Sequence, residues 1–311
     1  VPLLVLTHLN APELADTGDG EYTILQSPGV AFRGQIIGAV VAASPREAAA
    51  DTDVVISMVA DDHAARAAHC AFTDGPWPAM AARQRARVLN RIADGIERRG
   101  ARIAELETFD TGLPVTQAHG QAERAAENFR FFADMIVTAH EDAFRTGTAQ
   151  LGYVIRKPAG PAGLITPWNT PFMLETWKLA PSLAAGCPVI LKPAEWSPLS
   201  ASLLPEIMTE AGVPDGVFNM VHGIGEVAGA ALVTHPLVPR ISFTGETATG
   251  QAIMAAAAPG LKGLSMELGG KSPCVVFADA DLDAATDSAL FGVFSLNGER
   301  CTAGSRILAE R

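Results

Sequence analysis

The chain has 311 residues, 48% of them hydrophobic and 18% charged, with a formal charge of −11 at pH 7. That length holds about two domains of ordinary size, and the acidic balance argues against sequence-independent nucleic-acid binding, which draws on Lys and Arg meeting phosphates. No apolar run reaches the roughly 18 residues of a membrane span, and the N-terminal VPLLVLTHLNAPELAD lacks the basic start and cleavage site of a secretory signal, so a cytoplasmic protein with no membrane partner is expected.

Residues 1 to about 50 read as short β segments, PLLVLTH, YTILQ and AFRGQIIGAVVAAS, divided by the turn formers ADTGDGE and SPG. The stretch from VLTHLNAP to VVAASPREA resembles a fragment of the molybdenum subunit of xanthine dehydrogenases and aldehyde oxidases, without any molybdenum-site motif. DTDVVISMVADDHAARAAH, Asp51 to His69, reads as a strand and a helix start, and it is similar to part of the β-hydroxyacid dehydrogenases. The Gly-rich turn that would hold a pyrophosphate is absent upstream, so no dinucleotide site is expected there. Residue 1 is Val, which fits a removed initiator, a non-standard start or a piece of something longer.

From about Ala71 the texture turns helical. Val88, Leu89, Ile92 and Ile96, then Ile103 and Leu106, recur at helical spacing with a break expected at Gly100, and a second amphipathic helix carries Phe129, Phe132 and Ile136 on one side. Beyond Gly152, strands GLITP, PVILKP, VFNMV and RISFTG alternate with helices from Phe172 to Gly186, from Pro198, from Gly225 and from Thr247. That alternation predicts an α/β fold with a doubly wound parallel sheet. Ligands of such sheets sit at the carboxyl ends of the strands, which here read TPWN, KPAE, HGIGE and FTGET.

Four widely spaced cysteines, Cys70, Cys187, Cys274 and Cys301, form no C-x-x-C pair, so neither a disulfide framework nor a zinc ribbon is expected. His63, His69 and Cys70 are spaced irregularly with no fourth ligand nearby, and no metal site is assigned to them. Cys301 differs from the other three. It lies in the Gly-bounded loop NGERCTAGSR after a helical stretch and beside Arg300, where a thiolate gains electrostatically. Asn169 stands between two prolines that stiffen its turn, and Glu267 precedes Gly269 and Gly270, which permit close backbone approach.

PWNTP, KPAEWSP, FTGETATG, MELGGKSP and NGERCTAGSR, in that order, resemble the NAD(P)-dependent aldehyde dehydrogenase superfamily, and within it the semialdehyde dehydrogenases of aromatic-acid breakdown. The resemblance runs from about residue 71 to 311. It implies a Rossmann-like cofactor domain over 71–268, the start of a catalytic domain over 269–311, and an unrelated N-terminal segment over 1–70. It further implies Cys301 as nucleophile toward the aldehyde carbon, Asn169 as oxyanion donor and Glu267 as general base. The cofactor site would comprise Thr166, Pro167, Trp168, Lys192, Glu195, Gly225, Phe243, Gly245, Glu246, Thr249, Leu268 and Gly269. Glu195 on the adenosine ribose would repel an additional phosphate, so NAD is expected in preference to NADP. The turn before Thr247 opens a helix whose N–H groups can meet the pyrophosphate, and an acid at position 246 is unfavourable there unless it points away. Relatives form homo-oligomers through a closing segment that this sequence lacks. Because the family's catalytic domain continues past the nucleophile, the 311-residue chain by itself is expected to show little or no turnover. The alternatives are a module that holds NAD without catalysis and a molybdenum hydroxylase or hydroxyacid dehydrogenase fragment.

Overall fold

The computed structural model describes residues 62–145, 147, 148 and 150–310, together with the backbone of five short strands before them. Those strands are β1 (Leu3–Thr7), β2 (Leu14–Asp16), β3 (Tyr22–Leu25), β4 (Ala31–Phe32) and β5 (Val54–Met58). β1 pairs in parallel with β5, and β2, β3 and β4 form an antiparallel ribbon. The remainder of the β-rich segment expected at 1–50 lies outside the described residues.

Helix α1 (Asp62–Thr73) runs without interruption through residue 70. Its Ala64, Ala65 and Ala68 pack into one core with Ile190 and Val221. The helical pattern read around Val88, with its break expected at Gly100, is divided into α2 (Ala82–Arg98) and α3 (Gly100–Thr111). The break falls at Arg99, and Gly100 opens the second helix instead of ending the first. Gly112, at φ 72°, closes α3 by turning left-handed, the conformation that costs glycine no Cβ clash. After Pro114, α4 (Val115–Thr138) buries Phe129 and packs Phe132 and Ile136 against the core.

A two-stranded ribbon follows, β6 (Ala143–Arg145) and β7 (Leu151–Tyr153). The main sheet then contains β8 (Ala162–Ile165), β9 (Val189–Lys192), β10 (Phe218–Met220), β11 (Arg240–Gly245) and β12 (Gly263–Leu268). All its pairings are parallel, in the order β10-β9-β8-β11-β12. The chain therefore builds outward from β8 in one direction and returns to build in the other, which opens a crevice at the ends of β8 and β11.

Alternate residues of the central strands feed two cores. Leu164, Val189 and Leu191 join α2, α4 and α5 (Pro171–Ala184) on one face, while Ile165, Ile190, Ile241 and Phe243 join α1, α7 (Ala230–Thr234) and α8 (Thr247–Ala257) on the other. Burial on both faces explains why β8 and β9 read as continuous apolar runs, whereas β11 alternates and buries Ile241 and Phe243 on one face. Short α6 (Leu204–Glu210) follows the expected start at Pro198 only after a 3-10 turn at Ala201–Leu203, and a π turn at Gly225–Gly229 precedes α7. Beyond residue 269 stand β13 (Pro273–Val276), α9 (Leu282–Phe294) and β14 (Arg306–Ala309), with β13 and β14 paired in parallel. Asp281 caps α9 by accepting the N–H groups of Asp283 and Ala284.

Candidate active site

Asn169 leaves the end of β8 one residue before the N-cap of α5. Its Oδ1 accepts the Thr170 N–H at 3.1 Å, and its Nδ2 donates to the Glu299 carbonyl at 2.7 Å. That second bond ties the oxyanion-donor candidate to the loop of the nucleophile candidate, two residues before Cys301. An amide has two N–H donors, so one is used to fix Asn169 in place and the other is left for a ligand. Cys301 is exposed, and its carbonyl oxygen would lie 3.1 Å from a Cβ placed on Gly270. The glycine thereby admits the nucleophile loop to the end of the strand that carries Glu267. The neighbouring Arg300 guanidinium lies over the Phe291 ring, 5.3 Å from its centroid, a cation–π contact.

Glu267 stands opposite Thr244 at the carboxyl end of β12. Lys178, on α5, faces this region from inside the protein: it is 8% exposed and its Nζ donates to Ser242 Oγ at 2.9 Å. Burial lowers its ammonium to about 8, against an opposing pull from the Glu267 charge. Sequence reasoning did not single out Lys178. The available signal was a single Lys in the largely apolar helical stretch PFMLETWKLAP.

The cofactor candidates gather along the same sheet edge. Lys192, 2% exposed, donates to Glu195 Oε2 at 2.6 Å. Burial pushes the Glu195 carboxyl up, but the bonds from Lys192 and from backbone N–H groups, including Gly225, outweigh it and hold it below its ordinary value. Among the described residues, two buried polar atoms at this edge have no hydrogen-bond partner, Thr166 Oγ1 at the end of β8 and His222 Nε2 just beyond β10. Burial beside Lys192 keeps the His222 imidazole neutral, lowering it to about 4. Unsatisfied buried groups are costly, and orphans beside an ionised Glu at the mouth of the crevice suit a polyhydroxylated, hydrogen-bonding ligand such as a dinucleotide. Pro167 and Trp168 border the same mouth, with Trp168 41% exposed and 6.3 Å from the Trp196 ring centroid. Leu268 and Gly269 close the edge at β12, where a Cβ on Gly250 would meet Leu268 Cδ2 at 2.6 Å.

Two cofactor candidates take other positions. The Phe243 ring is in the core, 4% exposed, and fills the space that a side chain at Gly245 would need. Glu246 is the N-cap of α8, and its Oε2 accepts the Thr249 N–H at 3.1 Å. The amide expected to be free for a diphosphate is therefore already engaged by the protein's own carboxylate.

A model of the aldehyde dehydrogenase family matches residues 48–311, so the segment 51–69 falls within it. The chain is 46% identical over 256 residues to 2-hydroxymuconic semialdehyde dehydrogenase of Pseudomonas sp. (strain CF600), covering 80% of this chain and 52% of that protein. With 5-carboxymethyl-2-hydroxymuconate semialdehyde dehydrogenase of Escherichia coli it shares 48% identity over 236 residues, 76% of this chain and 50% of that one. Among solved structures it superposes on HpcC from Thermus thermophilus with a TM-score of 0.78 at 54% identity, covering 80% of this chain and 48% of the other. It matches the NAD+ complex of a Bacillus cereus aldehyde dehydrogenase with a TM-score of 0.80 at 38% identity, covering 83% and 53%. These matches lend no support to the molybdenum-subunit or hydroxyacid-dehydrogenase resemblance of residues 1–69. The chain spans about half the length of the relatives it matches, and over that span it belongs to the aldehyde dehydrogenase family.

Proposed function

We propose that the site oxidises an aldehyde to the acid, with NAD preferred to NADP and a carboxylated semialdehyde of aromatic-acid breakdown as substrate. The observation that carries this reading is the bond from Asn169 Nδ2 to the Glu299 carbonyl, which brings an amide donor and a thiol to one place. In this mechanism the Cys301 thiol passes its proton to Glu267 as its sulfur bonds to the aldehyde carbon, and the remaining Asn169 N–H and the Cys301 backbone N–H donate to the developing oxyanion. The nicotinamide supplies hydride acceptance when bound. The acyl group then held on Cys301 is released by water, which Glu267 deprotonates, and Lys178 supports the charge on Glu267 from beneath. Thr166, Lys192, Glu195 and His222 would hold the adenosine side. Leu268 and Gly269 would border the pocket, and Gly245 and Thr249 would face the phosphates where the Glu246 carboxylate, which accepts the Thr249 N–H, gives way to them.

The cofactor unit is taken as residues 62–268, since α1 packs within it, and the catalytic unit as starting at 269. Free thiols and the lack, among the described residues, of any helix long and apolar enough to cross a membrane support the cytoplasm as its compartment. Exposed Phe144, Leu151 and Tyr153 on the β6–β7 ribbon support assembly with further copies, which a sedimentation measurement would read.

A second reading, NAD binding without fast turnover by this chain alone, is favoured by the exposure of Cys301 and by α9, none of whose residues is buried. Purified chain with a semialdehyde and NAD separates the two. Turnover lost by about a thousandfold or more in Cys301→Ala supports oxidation. NAD titrated calorimetrically with equal affinity in both forms, and no NADH produced, supports the second reading. Equal efficiency with NADP would remove the assigned role of Glu195.

A further inference from the structure

Three separate loops are fastened to one corner of the molecule, the turn from α3 into α4 at residues 107–117. Glu107 Oε1 accepts the Phe172 N–H at 2.9 Å. Thr170, the N-cap of α5, makes no side-chain cap bond, so a carboxylate from another helix satisfies the α5 N-terminus next to Asn169. Asp110 Oδ2 accepts the Leu199 N–H at 2.8 Å, holding the loop that follows Glu195. The nucleophile loop is fastened in the same place, with Asn297 Nδ2 donating to the Thr111 carbonyl at 3.1 Å and Leu296 packing against Ala104, Leu113 and Ala118.

The nucleophile loop needs such an anchor. Leu296 and Asn297 have φ of 53° and 57°, the left-handed region that is costly for residues other than glycine and tolerated by Asn more readily than by Leu. Strained backbone of this kind persists only where surrounding contacts fix it. Cys301 is four residues further on, and Glu299, between them, receives the Asn169 amide. The corner, Asn169 and the Cys301 loop thus form a closed triangle.

We propose that the α3–α4 corner is the positioning element of the site: through Glu107 it fixes the loop of Asn169, and through Asn297 the loop of Cys301, so that amide and thiol reach the same carbonyl. This rests on the catalytic reading above. Glu107 and Asn297 act through other residues and are positioning residues.

The test compares two reactions of Cys301 in the 311-residue chain, with Cys301→Ala as background. Acylation by p-nitrophenyl acetate forms the sulfur–acetyl bond, expels p-nitrophenolate and needs the oxyanion donor. Alkylation by iodoacetamide displaces iodide directly and does not. Asn297→Gly tolerates the left-handed backbone but lacks the amide, and Glu107→Gln keeps an acceptor for Phe172 where Glu107→Ala has none. Expected for Asn297→Gly and Glu107→Ala is acylation slowed about tenfold or more with alkylation within about twofold of wild type, and for Glu107→Gln recovery of most of the lost rate. Amide hydrogen exchange over residues 295–303 should quicken in Asn297→Gly. Equal falls in both reactions, or wild-type acylation in Asn297→Gly, overturn the proposal. If wild-type Cys301 is not acylated at all, the catalytic reading fails, and hydrogen exchange alone decides the corner: unchanged exchange over 295–303 overturns it.

Discussion

At the scale of single residues, Glu246 makes the sharpest demand on the cofactor reading. A helix N-terminus favours negative charge, and α8 already has one, since Glu246 accepts the Thr249 N–H. A diphosphate arriving there must share the helix end with a carboxylate or displace it. Glu246→Gln keeps a capping oxygen and removes the charge, so NAD should bind about three- to tenfold more tightly, a gain of ~1 kcal/mol that shrinks in high salt. Isothermal titration at two salt concentrations measures this, and unchanged affinity at low salt would place Glu246 away from the phosphates. The residues proposed for the chemistry that stand in a motif could be picked from the sequence: Asn169, Glu267 and Cys301 each lie in or beside a stretch marked by prolines or glycines. Lys178, Glu107 and Asn297 were not legible. Their parts depend on burial and on partners such as Ser242, Phe172 and Thr111, brought together only by the fold.

At the scale of elements, α3 and α5 enclose an excess of buried acid. Glu107 and Glu175 are fully buried and Asp110 is half-buried, and among the described residues neither Glu175 oxygen has a hydrogen-bond partner. Burial lifts the Glu107 carboxyl to about 7 and the Asp110 carboxyl to about 6, and it raises Glu175 well above the ordinary value, with the neighbouring acids adding to the effect. A raised carboxyl means that the folded state holds a proton the unfolded chain has released. The stability it contributes is complete below the unfolded value near 4.5 and falls as pH rises toward the folded value. Glu175→Gln has no proton to lose, so it should raise the melting temperature at pH 8 by several degrees, on the order of 1–3 kcal/mol, and change it much less at pH 5. Equal shifts at both pH values would show that the folded-state carboxyl of Glu175 is not raised above its unfolded value. The elements themselves followed from the apolar pattern: the run at Val189–Lys192 is a strand buried throughout, and Arg240–Gly245 is a strand that buries alternate residues, Ile241 and Phe243. The helix expected from Gly225 is shorter and preceded by a π turn. Glycine at 225 and 229 gives weak local support for a regular helix, so packing of Ala228 and Leu232 decides the geometry there.

At the scale of the whole molecule, residues 62–268 and 269–310 differ in how their apolar surface is covered. The main sheet has helices on both faces, whereas α9 buries no residue and Phe277, Phe291 and Phe294 are 64%, 65% and 68% exposed. Ile307 and Leu308 on the paired strand β14 are 59% and 54% exposed. Exposed aromatics this close together exceed what isolated surface residues account for and favour self-association. The formal charge of −11 opposes association through repulsion between molecules, but salt near physiological strength screens that repulsion beyond about 8 Å. Apolar contact acts at shorter range and is not screened. Association of this chain should therefore increase with added salt, the opposite of what charge pairing between molecules would give. Phe277→Ser with Phe294→Ser removes two rings that bury little in the folded chain, so stability should stay within about 0.5 kcal/mol. Phe291 is better kept, since Arg300 stacks on it within the nucleophile loop. Static light scattering across a salt series, read beside thermal melts, checks both expectations: the double variant should scatter less at high salt while melting at the wild-type temperature. A lowered melting temperature would mean that these rings are packed in solution and that α9 is covered by contacts within the chain itself.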